Sequence, residues 1–346
     1  MRNFQYLKLP IRNEIIAYRF FKNKNAKKTL ILIHGNHSSQ IYWDPIIPLL
    51  QQKQQEFQQK MLKNLEISEN QFKNENKNTS TNKNININDD IFSQFDILTL
   101  DMKGFGKSSY NNKSENLEDL ADDIVEFIKI LELKNVIMGG WSTGGAISMI
   151  IRVKIPEIVK GILLVSGVGW KGHQFVAKNE QGQVVVRESL GLRKSLQRNL
   201  TPLFSDARNI VGMKMFMQGM FGNSMQAFPK EEYLKELIED SLRHRSFVEI
   251  NMGLHQFDFF TKSIKNQKSI QNTPTLIYHG KKDPIINCQQ AQANQDLIGS
   301  QTSTLKINEE AGHVPIFSHS NELSQRIVEF LSQIEIKNQK LQKPKL

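Results

Sequence analysis

In the run Gly139-Gly140-Trp141-Ser142-Thr143-Gly144-Gly145, a serine stands between glycines two positions before and two positions after it. The run follows the apolar stretch Val136 to Met138 and precedes the helix-like stretch Ala146 to Val153. A serine on so tight a strand-to-helix turn projects its hydroxyl at the carboxyl edge of a sheet, where small neighbours relieve crowding and the first helix amides face a reacting oxygen. Such a serine attacks a carbonyl only if a base takes its proton. Of the eight histidines, His313 in Ala311-Gly312-His313 fits best, because it follows the last apolar run by a short acidic loop. His319 also lies beyond that run and stands second to it. His34 and His279 close apolar runs beside glycine, as structural histidines do; His37 lies in a loop ahead of the serine; His173, His244 and His255 fall in a later insert. A buried carboxylate holds an imidazole in the tautomer that accepts the serine proton. Asp283, in His279-Gly280-Lys281-Lys282-Asp283-Pro284, stands just past the run Thr275 to Tyr278. An aspartate before proline is by itself an ordinary turn residue; in series with Ser142 and His313 it is a candidate orienter.

Elements able to carry these residues are visible as periodicity. Short β-branched runs recur at Thr29 to Ile33, Ile97 to Leu100, Val136 to Met138, Ile162 to Val165, Thr275 to Tyr278 and Thr304 to Ile307. Runs apolar on both faces suit buried parallel strands. Between them lie helical patterns, the clearest being Leu117, Leu120, Ile124, Phe127, Ile128 and Leu131, whose spacings of three and four make one apolar stripe. This alternation predicts an α/β fold, a mostly parallel central sheet flanked by helices. Tyr6 to Leu9 and Ile15 to Phe21 read as an antiparallel hairpin at one edge.

Two stretches interrupt the alternation. Residues 51–90 are rich in Gln, Asn and Lys with few large apolar residues, and read as a polar low-complexity insertion unable to order itself. It should emerge at the amino-terminal edge of the strands, away from the edge where ligands bind. Residues 170–272 differ: five methionines fall between Met213 and Met225, close to Phe204, Phe216, Phe221 and Phe228. That composition predicts a helical subdomain over the sheet. The chain therefore divides into a core, 1–169, a cap, 170–272, the second part of the core, 273–336, and a basic tail, 337–346.

At 346 residues and 39% hydrophobic, the chain is long enough for one large domain with an insertion. The single cysteine, Cys288, allows no internal disulfide and no Cys/His metal spacing. Arg2, Lys8, Arg12 and Glu14 interrupt the apolar residues of the amino-terminal segment, so no signal peptide is read there, and no run reaches membrane-spanning length. A cytoplasmic location is the default expectation. The net charge of +10 is spread through polar segments and the tail (Lys337, Lys340, Lys343, Lys345) rather than gathered with aromatics on one element. It reads as a solvated surface, with no nucleic-acid partner expected.

Two further turns complete the pattern. His34-Gly35-Asn36-His37 follows Thr29 to Ile33, where a backbone amide can meet an oxyanion together with the amide after the nucleophile. Asp101-Met102-Lys103-Gly104-Phe105-Gly106-Lys107-Ser108 follows Leu100; its Gly-Lys-Ser is not a phosphate loop, because aspartate stands five positions before Gly106. Together these residues resemble the α/β-hydrolase superfamily, with serine, acid and histidine in that chain order, and the resemblance covers nearly the whole chain. In that family a His-Gly loop follows the third strand, an Asp-x-x-Gly-x-Gly-x-Ser turn the fourth and the nucleophile the fifth, and a cap is inserted after the sixth. The resemblance implies oxyanion-hole amides from Asn36 and Thr143. It implies a serine hydrolase, esterase- or lipase-like, cleaving a carboxylic ester or related acyl bond of a small molecule through an acyl-enzyme on Ser142, with no metal or organic cofactor. Relatives that open epoxides or remove halides carry aspartate where Ser142 stands. Trp141, beside the nucleophile, and Trp170, where the chain enters the cap, are candidate substrate-binding residues. The same triad also serves carbon-carbon bond hydrolases, aminopeptidases and acyltransferases, and the fold serves small-molecule receptors that retain it.

Overall fold

The structure, a computed structural model, describes residues 2–75, 94–173, 176–178, 181, 184–186, 189–195, 197, 209–261 and 264–341. Strands β1 (Gln5–Leu9) and β2 (Glu14–Phe21) form the edge hairpin. They are followed by β3 (Ala26–Ile33), β4 (Gln94–Leu100), β5 (Val136–Trp141) and β6 (Val159–Val165). A separate antiparallel ribbon, β7 (Val176–Lys178) with β8 (Val184–Val186), precedes the last two sheet strands, β9 (Thr275–Gly280) and β10 (Ser303–Asn308). The eight-stranded sheet has the order β1-β2-β4-β3-β5-β6-β9-β10, antiparallel through β1, β2 and β4 and parallel from β4 to β10.

The central strands are buried on both faces, which is why they read as unbroken apolar runs. Alternation along β3 divides the core: Ile31 and Ile33 face the layer of α2 (Leu117–Ile130) and α3 (Thr143–Lys154), while Leu30 and Leu32 face the layer of α1 (Ile47–Glu75) and the last helix. Helix α2 starts where Asn116 caps it, accepting from the amide of Asp119 at 3.0 Å, and buries the predicted stripe from Leu117 to Ile128. Between β6 and β9 lie α4 (Ser189–Ser195), α5 (Ile210–Phe221), α6 (Glu231–Leu242) and α7 (Phe247–Gln256). Met213, Met217, Met220 and Phe221 of α5 are buried with Tyr42, Trp43 and Val314, so these helices share apolar surface with the sheet layer. The chain closes with α8 (Gln289–Ile298), the short α9 (Pro315–Ser318) and α10 (Ser320–Leu341).

The polar insertion expected at 51–90 is partly helix. Helix α1 runs to Glu75, and residues 76–93 lie outside the described residues. A narrow stripe suffices to hold its first turns: Leu50 is fully buried, Phe57 packs against the same core, and the buried Gln54 accepts from the amide of Phe95 at 3.0 Å. Gln58 Oε1 accepts from the Gln94 side-chain amide. Glutamine-rich sequence thus orders where one side chain satisfies a backbone amide at the opening of β4 and another bonds a β4 side chain. At the other terminus α10 extends to Leu341, so the tail read as 337–346 begins inside a helix.

Turn and helix are joined by a buried ion pair. Lys103, after β4, is 2% exposed and lies 3.2 Å from Asp123 of α2, which also takes the Arg12 guanidinium at 2.8 Å. Asp123→Ala strands the Lys103 ammonium in the core; the expected loss is about 3–5 kcal/mol, read as a shift of the urea midpoint, with no such loss from Lys113→Ala at the surface.

Candidate active site

Because β4, β3, β5, β6, β9 and β10 run parallel, every loop singled out in the sequence leaves the sheet at one edge. Ser142 sits between β5 and α3 with φ +56° and ψ −118°, a conformation that L-residues rarely adopt. Both of its backbone groups are committed: the amide donates to Val165 O at 3.0 Å, and the carbonyl accepts from Gly145 at 3.0 Å and Val168 at 3.1 Å. The glycines are required by space. A Cβ on Gly140 would lie 2.0 Å from Gly144 O, and one on Gly144 would lie 2.5 Å from Ile33 O.

His313 and Asp283 meet this serine. His313 Nε2 lies 3.1 Å from Ser142 Oγ, and Nδ1 lies 2.8 Å from Asp283 Oδ2. With Nδ1–H donating to the carboxylate, Nε2 is left to accept the serine proton. The His313 carbonyl is fixed by Trp141 Nε1 at 2.8 Å. Asp283 Oδ1 accepts from the amides of Ile285 at 2.8 Å and Ile286 at 2.9 Å, and His279 Nε2 lies 3.3 Å from Oδ2. Burial alone would push this carboxyl up; the charge of His313 and the hydrogen bonds from His279 and His313 outweigh it and hold it well below the usual carboxylate range. A folded-state value below the unfolded one stabilises the fold above pH ~4, and that contribution is lost only as pH falls further.

Across the serine lies the loop after β3. A Cβ on Gly35 would lie 3.0 Å from Ser142 Cβ, so loop and elbow are in contact. His34 pins the loop from below: its Nε2 accepts from the amide of Met102 at 3.0 Å, while Nδ1 lies 2.7 Å from Gly35 O. Burial pushes His34 down to about 4. Met102 belongs to the Asp-x-x-Gly turn, and that turn is a brace. Asp101 accepts from the amides of Gln40 at 2.7 Å and Lys107 at 3.0 Å, and Lys107 pairs with Asp240 of α6 at 3.0 Å. Thr143 opens α3, where first-turn amides have no partner within the helix.

These residues border a cavity of about 360 Å³ lined by Asn36, Ser142, Thr143 and His313 on the core side. Val168, Ile285 and Ile286 form part of its apolar wall; Phe216, Met220, Phe247 and Leu254 form the wall from α5 and α7. His37, His173 and Asn251 also line it. His37 is pushed down to about 3 by burial, and His173 is lowered by burial and then by the charge of His313. Trp141 and Trp170 do not line the cavity. Trp141 is buried beneath the site and stacks on Tyr42, with ring centroids 5.4 Å apart, while Trp170 packs edge-on against Phe260 at 5.3 Å. His319 instead bonds Ser318 Oγ at 2.9 Å. Among the described residues no group of three or more His, Cys, Asp or Glu side chains is placed to hold a metal, and no helix is long and apolar enough to cross a membrane.

A family model described as serine aminopeptidase, S33, matches residues 91–319. The chain is 21% identical over 240 residues, 68% of its length, to the dihydrolipoyllysine-residue acetyltransferase component of the acetoin cleaving system of Pseudomonas putida; the match spans 56% of that protein. It is 24% identical over 238 residues to the AB hydrolase superfamily protein YisY of Bacillus subtilis, covering 68% of this chain and 81% of YisY. Among solved structures, a putative lipase from Acinetobacter baumannii superposes with a TM-score of 0.63 at 19% identity, covering 97% of this chain and 92% of the lipase. An esterase from Exiguobacterium antarcticum superposes with a TM-score of 0.64 at 17% identity, covering 96% and 99%.

Asp283 Oδ2, 2.8 Å from His313 Nδ1, is placed to fix the tautomer of that imidazole. Asp283→Asn is expected to lower kcat/KM for an activated ester by ~10⁴ at neutral pH, since an amide that donates to Nδ1 forces the proton onto Nε2. A loss below tenfold in a variant of unchanged Tm would refute that role.

Proposed function

The chain belongs to the serine aminopeptidase S33 family of α/β-hydrolases, an enzyme family of esterase- and lipase-like fold, and we propose that it hydrolyses a carboxylic ester or related acyl bond through an acyl-enzyme on Ser142. The observation that carries this reading is the unbroken series Ser142 Oγ, His313 Nε2, His313 Nδ1 and Asp283 Oδ2, at 3.1 and 2.8 Å. His313 takes the serine proton as Oγ attacks the carbonyl carbon. The amides of Asn36 and Thr143 receive the oxyanion, a contribution of about 3 kcal/mol for each donor. His313 then protonates the leaving alcohol, and a water activated by the same imidazole releases the acid.

The cavity bears on the acyl part. Its described lining carries no carboxylate, lysine or arginine, and burial keeps His37 neutral at pH 7. An aminopeptidase substrate brings an α-ammonium, whose burial without a counter-charge is costly; a neutral acyl group meets no such cost. Walls of Phe216, Met220, Phe247, Leu254, Ile285 and Ile286 support an apolar group of small to medium size. In this proposal residues 170–272 are the cap, which supplies Phe216, Met220, Phe247 and Leu254 to the apolar wall, over a core of 1–169 and 273–336.

Fluorophosphonate labelling of wild type, Ser142→Ala and His313→Ala, with hydrolysis of p-nitrophenyl esters of graded chain length, tests this reading. Labelling is expected only where Ser142 and His313 are both present, with turnover highest for short to medium apolar acyl groups. Folded wild-type protein that neither labels nor turns over any ester, or that prefers aminoacyl amides, would sink it.

A further inference from the structure

The loop bearing Asn36 is held from α7 as well as from the core. Asn36 Nδ2 donates to Asn251 Oδ1 at 3.3 Å, and Asn36 Oδ1 accepts from the amide of His37 at 3.1 Å. Asn251 is itself fixed, because its Nδ2 donates to Phe247 O, one turn back in the helix, at 2.7 Å. It is 7% exposed and borders the cavity. The Asn36 carboxamide thus has one end on the loop's own backbone and the other on a residue 215 positions away. The following residue, His37, has φ +49°, and its ring packs against Phe247 of α7 at 4.9 Å and Phe216 of α5 at 5.3 Å. Two consecutive loop residues therefore take their orientation from helices lying between β6 and β9.

We propose that Asn251 is a positioning residue for the oxyanion-binding amide of Asn36, which makes the aim of the oxyanion hole depend on α7. The inference rests on the reading of Ser142 and Asn36 given above. A hydrogen bond weakens as its donor turns off line. The direction of the Asn36 N–H follows the loop backbone, which the side-chain bridge fixes. An oxyanion exists only in the transition state and the tetrahedral intermediate, so releasing the bridge lowers kcat and leaves ester binding in place. Asparagine suits the position because its carboxamide accepts from Asn36 and donates to Phe247 O at once without bringing a negative charge beside a developing oxyanion.

The test is a double-mutant cycle of Asn36→Ala and Asn251→Ala, reading kcat and KM for p-nitrophenyl butyrate, the rate of fluorophosphonate labelling, and Tm. Each single variant is expected to lower kcat and the labelling rate about tenfold with KM within about twofold, and the double variant to lose no more than either single one, because one linkage is being removed. Asn251→Leu, of similar volume, carries the same expectation and stands in if the alanine variant does not fold. Losses that multiply in the double variant, or an Asn251 effect confined to KM and varying with acyl length, would overturn the proposal and make Asn251 a wall residue. Wild-type protein that neither labels nor hydrolyses any ester would overturn it together with the esterase reading.

Discussion

The site depends on one backbone constraint, the conformation of Ser142. A residue with φ +56° and ψ −118° carries strain of about 1–3 kcal/mol, and the fold must hold it there. It does so by committing the serine's amide and carbonyl to Val165, Gly145 and Val168, all close to the carboxyl end of β6 or the start of α3. With the chain in this conformation β5, α3 and the loop after β3 approach too closely for side chains at 140 and 144, where glycine stands, and a Cβ at Gly35 would fit only tightly. Spending glycines there turns the hydroxyl outward toward His313 while Trp141, one residue earlier, points inward to Tyr42.

That alternation explains why the sequence pointed to three side chains that meet and to two tryptophans that do not line the cavity. Ser142, Asp283 and His313 are legible because each lies in the loop or turn that follows an apolar run, and a parallel sheet brings all such loops to one edge whatever the distances along the chain. Trp141 is equally close in sequence, yet successive strand side chains face opposite ways, so adjacency to the nucleophile places it under the site. The wall residues had weaker signals. Phe216 and Met220 share a helix with buried Met213 and Met217, and nothing in their spacing says which of that stripe faces a cavity. Ile285 and Ile286, not singled out in the sequence, carried a positional signal in following Asp283-Pro284 immediately; the structure adds that their amides hold that aspartate.

The polar helix α1 failed to show in the sequence for a related reason. Composition predicts whether a segment can build a core of its own; α1 needs only one stripe to lie on an existing core. Leu50 and Phe57 supply it, while Gln54 and Gln58 meet backbone and side chain at the start of β4. Long-range hydrogen bonds of this kind have no local signature. The Asn36–Asn251 bridge is another case, joining residues 215 positions apart.

Buried charge is the remaining constraint, and its treatment at Asp283 bears on mechanism. Oδ1 accepts from two backbone amides and Oδ2 lies within reach of two imidazoles. His279 Nε2 lies between two acceptors, Ile286 O at 2.8 Å and Asp283 Oδ2 at 3.3 Å, so that nitrogen carries the hydrogen. With four donors around one carboxylate, its oxygens are engaged before any reaction begins, and its affinity for a proton is held low. On the proposed mechanism the proton that leaves Ser142 therefore stops on His313. Asp283 acts as a fixed negative charge opposite the imidazolium, present before the reaction and unchanged by it, which is the form of electrostatic assistance that needs no reorganisation at the transition state.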